Sequence, residues 1–164
     1  MGLSLSSSSS SSTFFTEHVP IDPNPYWEPE PGDHIYSERS GGLYYHHGIY
    51  VGDDMVIHLM APPIIYNRFS DPCQKCGYKR NFSSGVIKTC LRCFLDGHSL
   101  HVCEYRFSKP AHEVITMATD CLEWNYLFGP YNLLTNNCEH FAVFCKTGSK
   151  ESDQVKTIFK KVLL

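Results

Sequence analysis

Between Tyr44 and Leu59 the chain carries two runs of aromatic and β-branched residues, Tyr44–Val51 and Met55–Leu59, parted by Gly52-Asp53-Asp54. Runs of that composition around turn residues predict a β-hairpin. A shorter run, His34-Ile35-Tyr36, follows the turn signal Pro31-Gly32-Asp33 and predicts one more strand. The period then changes. Ala111, Val114, Ile115, Ala118, Cys121 and Leu122 recur three and four apart behind Pro110, predicting a helix with one buried stripe that stops by Gly129-Pro130. Asn136-Asn137 are N-cap residues, and Phe141, Ala142 and Cys145 share a face before Gly148, so a second helix runs from Cys138 to that glycine.

These elements belong to one domain. The 164 residues are 42% hydrophobic and 19% charged, enough for one sizeable core and too few for two. A net charge of −3 argues against a nucleic-acid partner, which would call for a basic excess. No apolar run approaches the roughly 18 to 20 residues of a membrane span, and the N-terminus lacks the pattern of a secretory signal. Residues 1–19 read as a serine-rich disordered tail, 20–148 as the folded domain and 149–164 as a basic amphipathic segment. From Phe14 to Pro31 the chain is rich in proline and predicts an extended lead-in packed on the domain. Met1-Gly2 with Ser6 fits N-myristoylation at Gly2. Lys156, Lys160 and Lys161 beside Ile158, Phe159 and Val162 could add a second, interfacial attachment. A cytoplasmic protein, peripheral to membranes at most, is expected.

The hairpin brings two histidines into register. If Gly52–Asp54 form a three-residue loop, Val51 faces Met55 and Gly48 faces His58. His46 and His58 then share a sheet face one diagonal apart, and His47 points to the other. Two histidines at that spacing call for a third group. Cys138 supplies it, because the first turn of a helix favours a thiolate through the macrodipole and free backbone N–H groups. His140 lies two residues further on the same helix and cannot face it, so the base must come from His46. Cys103, Cys121 and Cys145 read as small core residues.

A second constellation is Cys73-Gln74-Lys75-Cys76 with Cys90-Leu91-Arg92-Cys93, in a stretch of 66–98 between hairpin and first helix. The spacing C-x2-C-x13-C-x2-C is that of two zinc knuckles, and Gly77 permits the tight turn that such a knuckle needs. Structural zinc, a pair of disulfides and four reduced thiols are the competing readings. Zinc is the expected one, with His98 and His101 as substitutes for one ligand. Four protein ligands would leave no open position, so the metal would be structural.

Four ordered blocks resemble the lecithin:retinol acyltransferase-like family, and its plant members in particular. They are Pro31-Gly32-Asp33-His34-Ile35-Tyr36, His46-His47-Gly48-Ile49-Tyr50-Val51-Gly52, Val56-Ile57-His58 and Asn137-Cys138-Glu139-His140-Phe141. The resemblance covers roughly residues 30 to 148. It implies an α+β domain of the circularly permuted, papain-like NlpC type: an antiparallel sheet, helices packed on one side and the four-cysteine stretch as an insert. It implies acyl transfer from a phospholipid to an acceptor or to water through a thioester, at a membrane surface. Cys138 would be the nucleophile, His46 its base and acid, and His58 the residue that orients His46, with helix-start N–H groups as oxyanion donors. A papain-like peptidase or deconjugating amidase uses the same triad, and a silent membrane-associated module could keep the fold without turnover. Many animal members carry a hydrophobic C-terminal anchor, where this sequence has the basic segment.

Overall fold

The two runs around Gly52-Asp53-Asp54 form the longest hairpin of a computed structural model, which describes residues 15–19, 28–66 and 69–150, the first five by their backbone alone. In chain order the elements are β1 (Phe15–Val19), β2 (His34–Arg39), β3 (Tyr44–Gly52), β4 (Met55–Met60), β5 (Gly85–Cys90), α1 (Leu91–Leu95), β6 (Leu100–Tyr105), α2 (Ala111–Glu123) and α3 (Cys138–Thr147). The strands make one antiparallel sheet in the order β1-β6-β2-β3-β4-β5. β1 takes in the last residues of the expected tail and falls within the extended lead-in. Residues 1–14 and 151–164, with Gly2 and the basic segment, lie outside the described residues.

The hairpin turn differs from the expected loop. Asp53 and Asp54 both have positive φ, 52° and 58°, the signature of a two-residue type I′ turn. The register shifts between Tyr50 and Gly52, which leaves Val51 as an extra residue. The bulge restores the residue that the shorter turn removes. Ile49 therefore still pairs with Ile57, and His46 and His58 keep the same face.

A third of the 66–98 stretch is a sheet strand and the helix that follows it. β5 pairs along all of β4, from Met55↔Cys90 to Met60↔Gly85, and α1 follows it directly. The expectation of helices on one side is thereby corrected. Ile49, Ile57 and Leu59 pack with Val114 and Ala118 of α2 and with Phe141 and Cys145 of α3. On the other face, Ile35 and Val56 pack against Phe94 of α1. A five-residue helix is too short to show a 3.6-residue period, so the sequence pattern alone does not reveal it. Full burial of each such aliphatic or aromatic side chain contributes roughly 1.5–3 kcal/mol. Among the described residues no helix is long and apolar enough to cross a membrane.

Candidate active site

Strand alternation puts His46 and His58 on the Phe94 face, both buried, and their rings meet. His46 Nε2 and His58 Nδ1 are 2.8 Å apart, and His58 Nε2 is 2.9 Å from Thr89 Oγ1 on β5. Two proton orders satisfy the chain; in one of them His58 Nε2–H donates to Thr89 and His46 Nε2–H donates to His58 Nδ1. That order leaves His46 Nδ1 free to accept a proton. Phe94 packs against both imidazoles, tilted to His46 and edge-on to His58, with centroids at 5.1 and 5.2 Å. Gly48 makes this packing possible. A Cβ there would come within 2.8 Å of Val56, 2.9 Å of Phe94 and 3.1 Å of His58.

Burial, His58 and the Arg39 guanidinium push the His46 pKa far down, and burial and Arg39 push His58 down to about 3. Both imidazoles are therefore neutral at physiological pH.

Cys138 begins α3 behind a complete capping box. Asn137 Oδ1 accepts from the Glu139 and His140 amides, while His140 Nδ1 accepts from the Asn137 amide. His140 is thus spent on the cap. The Glu139 and His140 amides, two of the helix-start groups expected as oxyanion donors, are engaged by the same cap. The thiol is fully buried, 3.7 Å from the carbonyl of Tyr45 and 3.5 Å from Tyr44 Oη. It docks where β3 has an unpaired edge: Tyr44–His47 pair with β2, while pairing to β4 runs from Ile49 to Gly52. The expectation of a low thiol pKa is corrected. Desolvation raises it, against the opposing effect of the Tyr44 hydroxyl and the His47 and Glu139 amides. A helix start lowers a thiol's pKa where solvent still helps, and at zero exposure the burial cost wins.

Tyr44 joins the two halves. Its hydroxyl lies 3.5 Å from His46 Nδ1 and 3.5 Å from Cys138 Sγ, and burial beside Cys138 raises its own pKa so that it keeps its proton. A continuous polar path runs Thr89–His58–His46–Tyr44–Cys138. It borders a cavity of about 250 Å3 lined by Tyr44, His46, His58, Arg39, Arg80 and Phe94 among others. Tyr44 lines the cavity and touches the sulfur, so it stands between them. Neither Tyr44 nor Thr89 is marked by spacing. A Tyr two residues before His46 on the same strand face is the one available hint for the first.

The four expected metal ligands converge. The sulfurs of Cys73, Cys76, Cys90 and Cys93 all lie within 4.8 Å of one another, with Cys73–Cys90 at 3.9 Å and Cys76–Cys93 at 3.7 Å. All are free thiols, which removes the disulfide reading. A tetrahedral zinc with Zn–S near 2.3 Å needs sulfurs about 3.8 Å apart, so the donor set fits the ion. Backbone amides of Lys75 and Cys76, with Cys93 and Arg92, pull Cys73 down to about 6. His98 and His101 stand apart from this group: His98 bonds to the Leu95 and Asp96 carbonyls, and His101 stacks on Tyr36.

The family model described as lecithin retinol acyltransferase matches residues 27–151. The chain is 35% identical over 151 residues to Protein LEAD-SENSITIVE 1 of Arabidopsis thaliana, covering 72% of this chain and 57% of that protein. It is 32% identical over 139 residues to Phospholipase A and acyltransferase 4 of Homo sapiens, covering 81% and 79%. It is 31% identical over 133 residues to Lecithin retinol acyltransferase of Rattus norvegicus, covering 71% and 54%. The chain thus spans little more than half the length of the first and third of these relatives.

Proposed function

The chain belongs to the lecithin retinol acyltransferase family, and from that premise we propose that it moves acyl groups from a phospholipid to an acceptor or to water through a thioester on Cys138. The observation that carries the reading is the polar path from Thr89 to Cys138 beside a cavity. The resting state is a neutral thiol and a neutral imidazole pair. As the ester carbonyl enters, the Cys138 proton passes to His46 Nδ1 and the sulfur attacks the carbonyl carbon. His58 holds His46 in the accepting tautomer. Tyr44, protonated and next to the sulfur, is the group in position to donate to the carbonyl oxygen as it gains charge. The C–O bond breaks, the leaving lysophospholipid oxygen takes the proton from His46, and the acyl group stays on sulfur. An acceptor hydroxyl, amine or water then gives its proton to His46 and attacks the thioester, which restores the thiol.

In this reading Cys73, Cys76, Cys90 and Cys93 hold a structural zinc, which would tie the loop at 73–76 to the β5–α1 corner and supply no chemistry. Acylated Gly2 and the basic 149–164 segment would serve peripheral attachment to the membrane, and the papain-like, permuted ancestry belongs to the same proposal. The test is intact-mass analysis after incubation with phosphatidylcholine labelled in one acyl chain. A hydroxylamine-labile acyl adduct is expected on the wild type and absent from Cys138→Ala. Neither adduct nor released fatty acid from the wild type would sink the reading.

A further inference from the structure

The cavity wall holds two guanidiniums that acyl chemistry does not use. Arg39, at the end of β2, is only 16% exposed, and Arg80 follows the first pair of cysteines. Both reach one carboxylate. Arg39 Nη1 is 3.3 Å from Asp96 Oδ2, and Arg80 Nη2 donates to Asp96 Oδ1. Asp96 turns back toward them from a left-handed position, φ 51°, just past α1. Two cations on one anion leave a net positive wall in a protein of net charge −3, since the cavity's histidines are neutral.

Arg39 also spends Nη2 on the Phe94 carbonyl, yet its Nε is buried with no hydrogen-bond partner. A buried donor left unmade costs free energy, and that of a charged group costs most. Both arginines line the cavity, so an anionic acceptor lying in it can take a contact from each guanidinium. A tetrahedral phosphate matches, because guanidinium forks pair with its oxygens in plane.

We propose that Arg39 and Arg80 form a phosphate subsite that receives the phosphodiester of the acyl donor and selects glycerophospholipids over neutral glycerides. The inference rests on the acyl-transfer reading for its substrate, and it names the part of the donor recognised. In a glycerophospholipid the phosphate and the sn-2 ester sit on neighbouring glycerol carbons. An anchored phosphate therefore holds that ester inside the same cavity as His46 and Tyr44. Asp96 bridges the two cations while the subsite is empty, and Cys93 lines the same wall, so the four-cysteine stretch supplies much of the specificity surface.

The experiment has a binding arm and a turnover arm on the full chain. Titration calorimetry with glycerophosphocholine should give a binding isotherm that weakens about tenfold in Arg80→Gln and tightens in Asp96→Asn, which frees both cations. The ratio of kcat/KM for dioleoylphosphatidylcholine over dioleoylglycerol should fall about ten- to a hundredfold in Arg80→Gln and Arg39→Gln, the size of one or two charge-assisted hydrogen bonds. Most of that fall should be in KM. Misfolding of Arg39→Gln leaves the exposed Arg80 and the opposite-going Asp96→Asn to decide. Equal losses on both lipids, or glycerophosphocholine binding that ignores all three substitutions, would overturn the subsite. Competition by inorganic phosphate with an unmoved lipid ratio would assign the arginines to free phosphate and overturn it too. Headgroup binding with the expected variant pattern but no turnover would keep the subsite and remove the acyl-transfer reading instead.

Discussion

His46–His58 and His34–His47 are two imidazole pairs of the same construction. Each is joined Nε2 to Nδ1 at 2.8 Å, each is buried, and His46 and His47 are consecutive residues of β3. Alternation sends them to opposite faces of the sheet. The first pair meets Thr89, Tyr44, a cavity and the charge of Arg39. The second shares the face of Ile49 under α2 and α3, with Tyr105 Oη 2.6 Å from His34 Nδ1 and Tyr36 stacked on His47. Cys103 completes that group within 4.8 Å. A hydrogen-bonded histidine pair is thus not a site by itself. Its surroundings decide whether the pair can pass a proton to anything that leaves.

The largest effect should separate the two pairs outright. His46→Ala should lower acyl transfer by about a thousandfold or more, and the double variant with Cys138→Ala should be no worse than either single. His34→Gln should lower stability but leave turnover per folded molecule within a few fold. Equal rate losses in the two would erase the distinction, and steady-state kinetics on folded fractions reads it directly.

Metal removal comes next. The protein is expected to carry about one zinc per chain, and a chelator strong enough to strip it should cost several kcal/mol, roughly 10 °C in Tm at about 2–4 °C per kcal/mol. The loss should loosen the β5–α1 corner that holds Thr89 and Phe94 against the first pair, and spare the second. Elemental analysis without zinc, alongside four freely titrating thiols, would discard the staple. Gly48→Ala sharpens the comparison at smaller scale. The added methyl collides with Phe94 and His58, so a destabilisation of about 1–3 kcal/mol with a disturbed His46–His58 contact is expected. Denaturant titration measures the first, and imidazole NMR shifts measure the second.

The mildest effect is acid sensitivity. An unfolded His58 binds a proton below about 6.5, whereas the folded one resists it until about 3. The unfolded state therefore holds more protons across that window, and stability falls as pH drops through it. His46 acts in the same direction. Urea midpoints measured from pH 7 to pH 4 should decline, and His58→Gln should flatten the decline. A flat wild-type profile would show that the pair accepts a proton in the fold.

Local rules made much of this legible. The alternation of β3 and β4 tells that His46 and His58 share a face, and it does so even though the turn has two residues and a bulge where three were expected, because the two differences cancel in parity. Asn137 announces the start of α3, and the paired C-x-x-C spacing announces four converging thiols. Such features depend on neighbours within a few residues, or on a period that survives in one dimension.

What the sequence could not reveal depends on partners far apart along the chain. Thr89 reaches His58 across 31 positions, and Tyr44 touches Cys138 across 94. Asp96 meets Arg39 across 57. Thr89 and Asp96 become part of the site only when β5 and α1 close the sheet, and Tyr44 only when the start of α3 docks on β3. The thiol's protonation makes the same point. Position at a helix start is written in the sequence and argues for a thiolate, while complete burial against β3 is a property of the packed fold. Desolvation of a charge outweighs a helix terminus once water is gone, so the tertiary structure decided that Cys138 rests as a thiol.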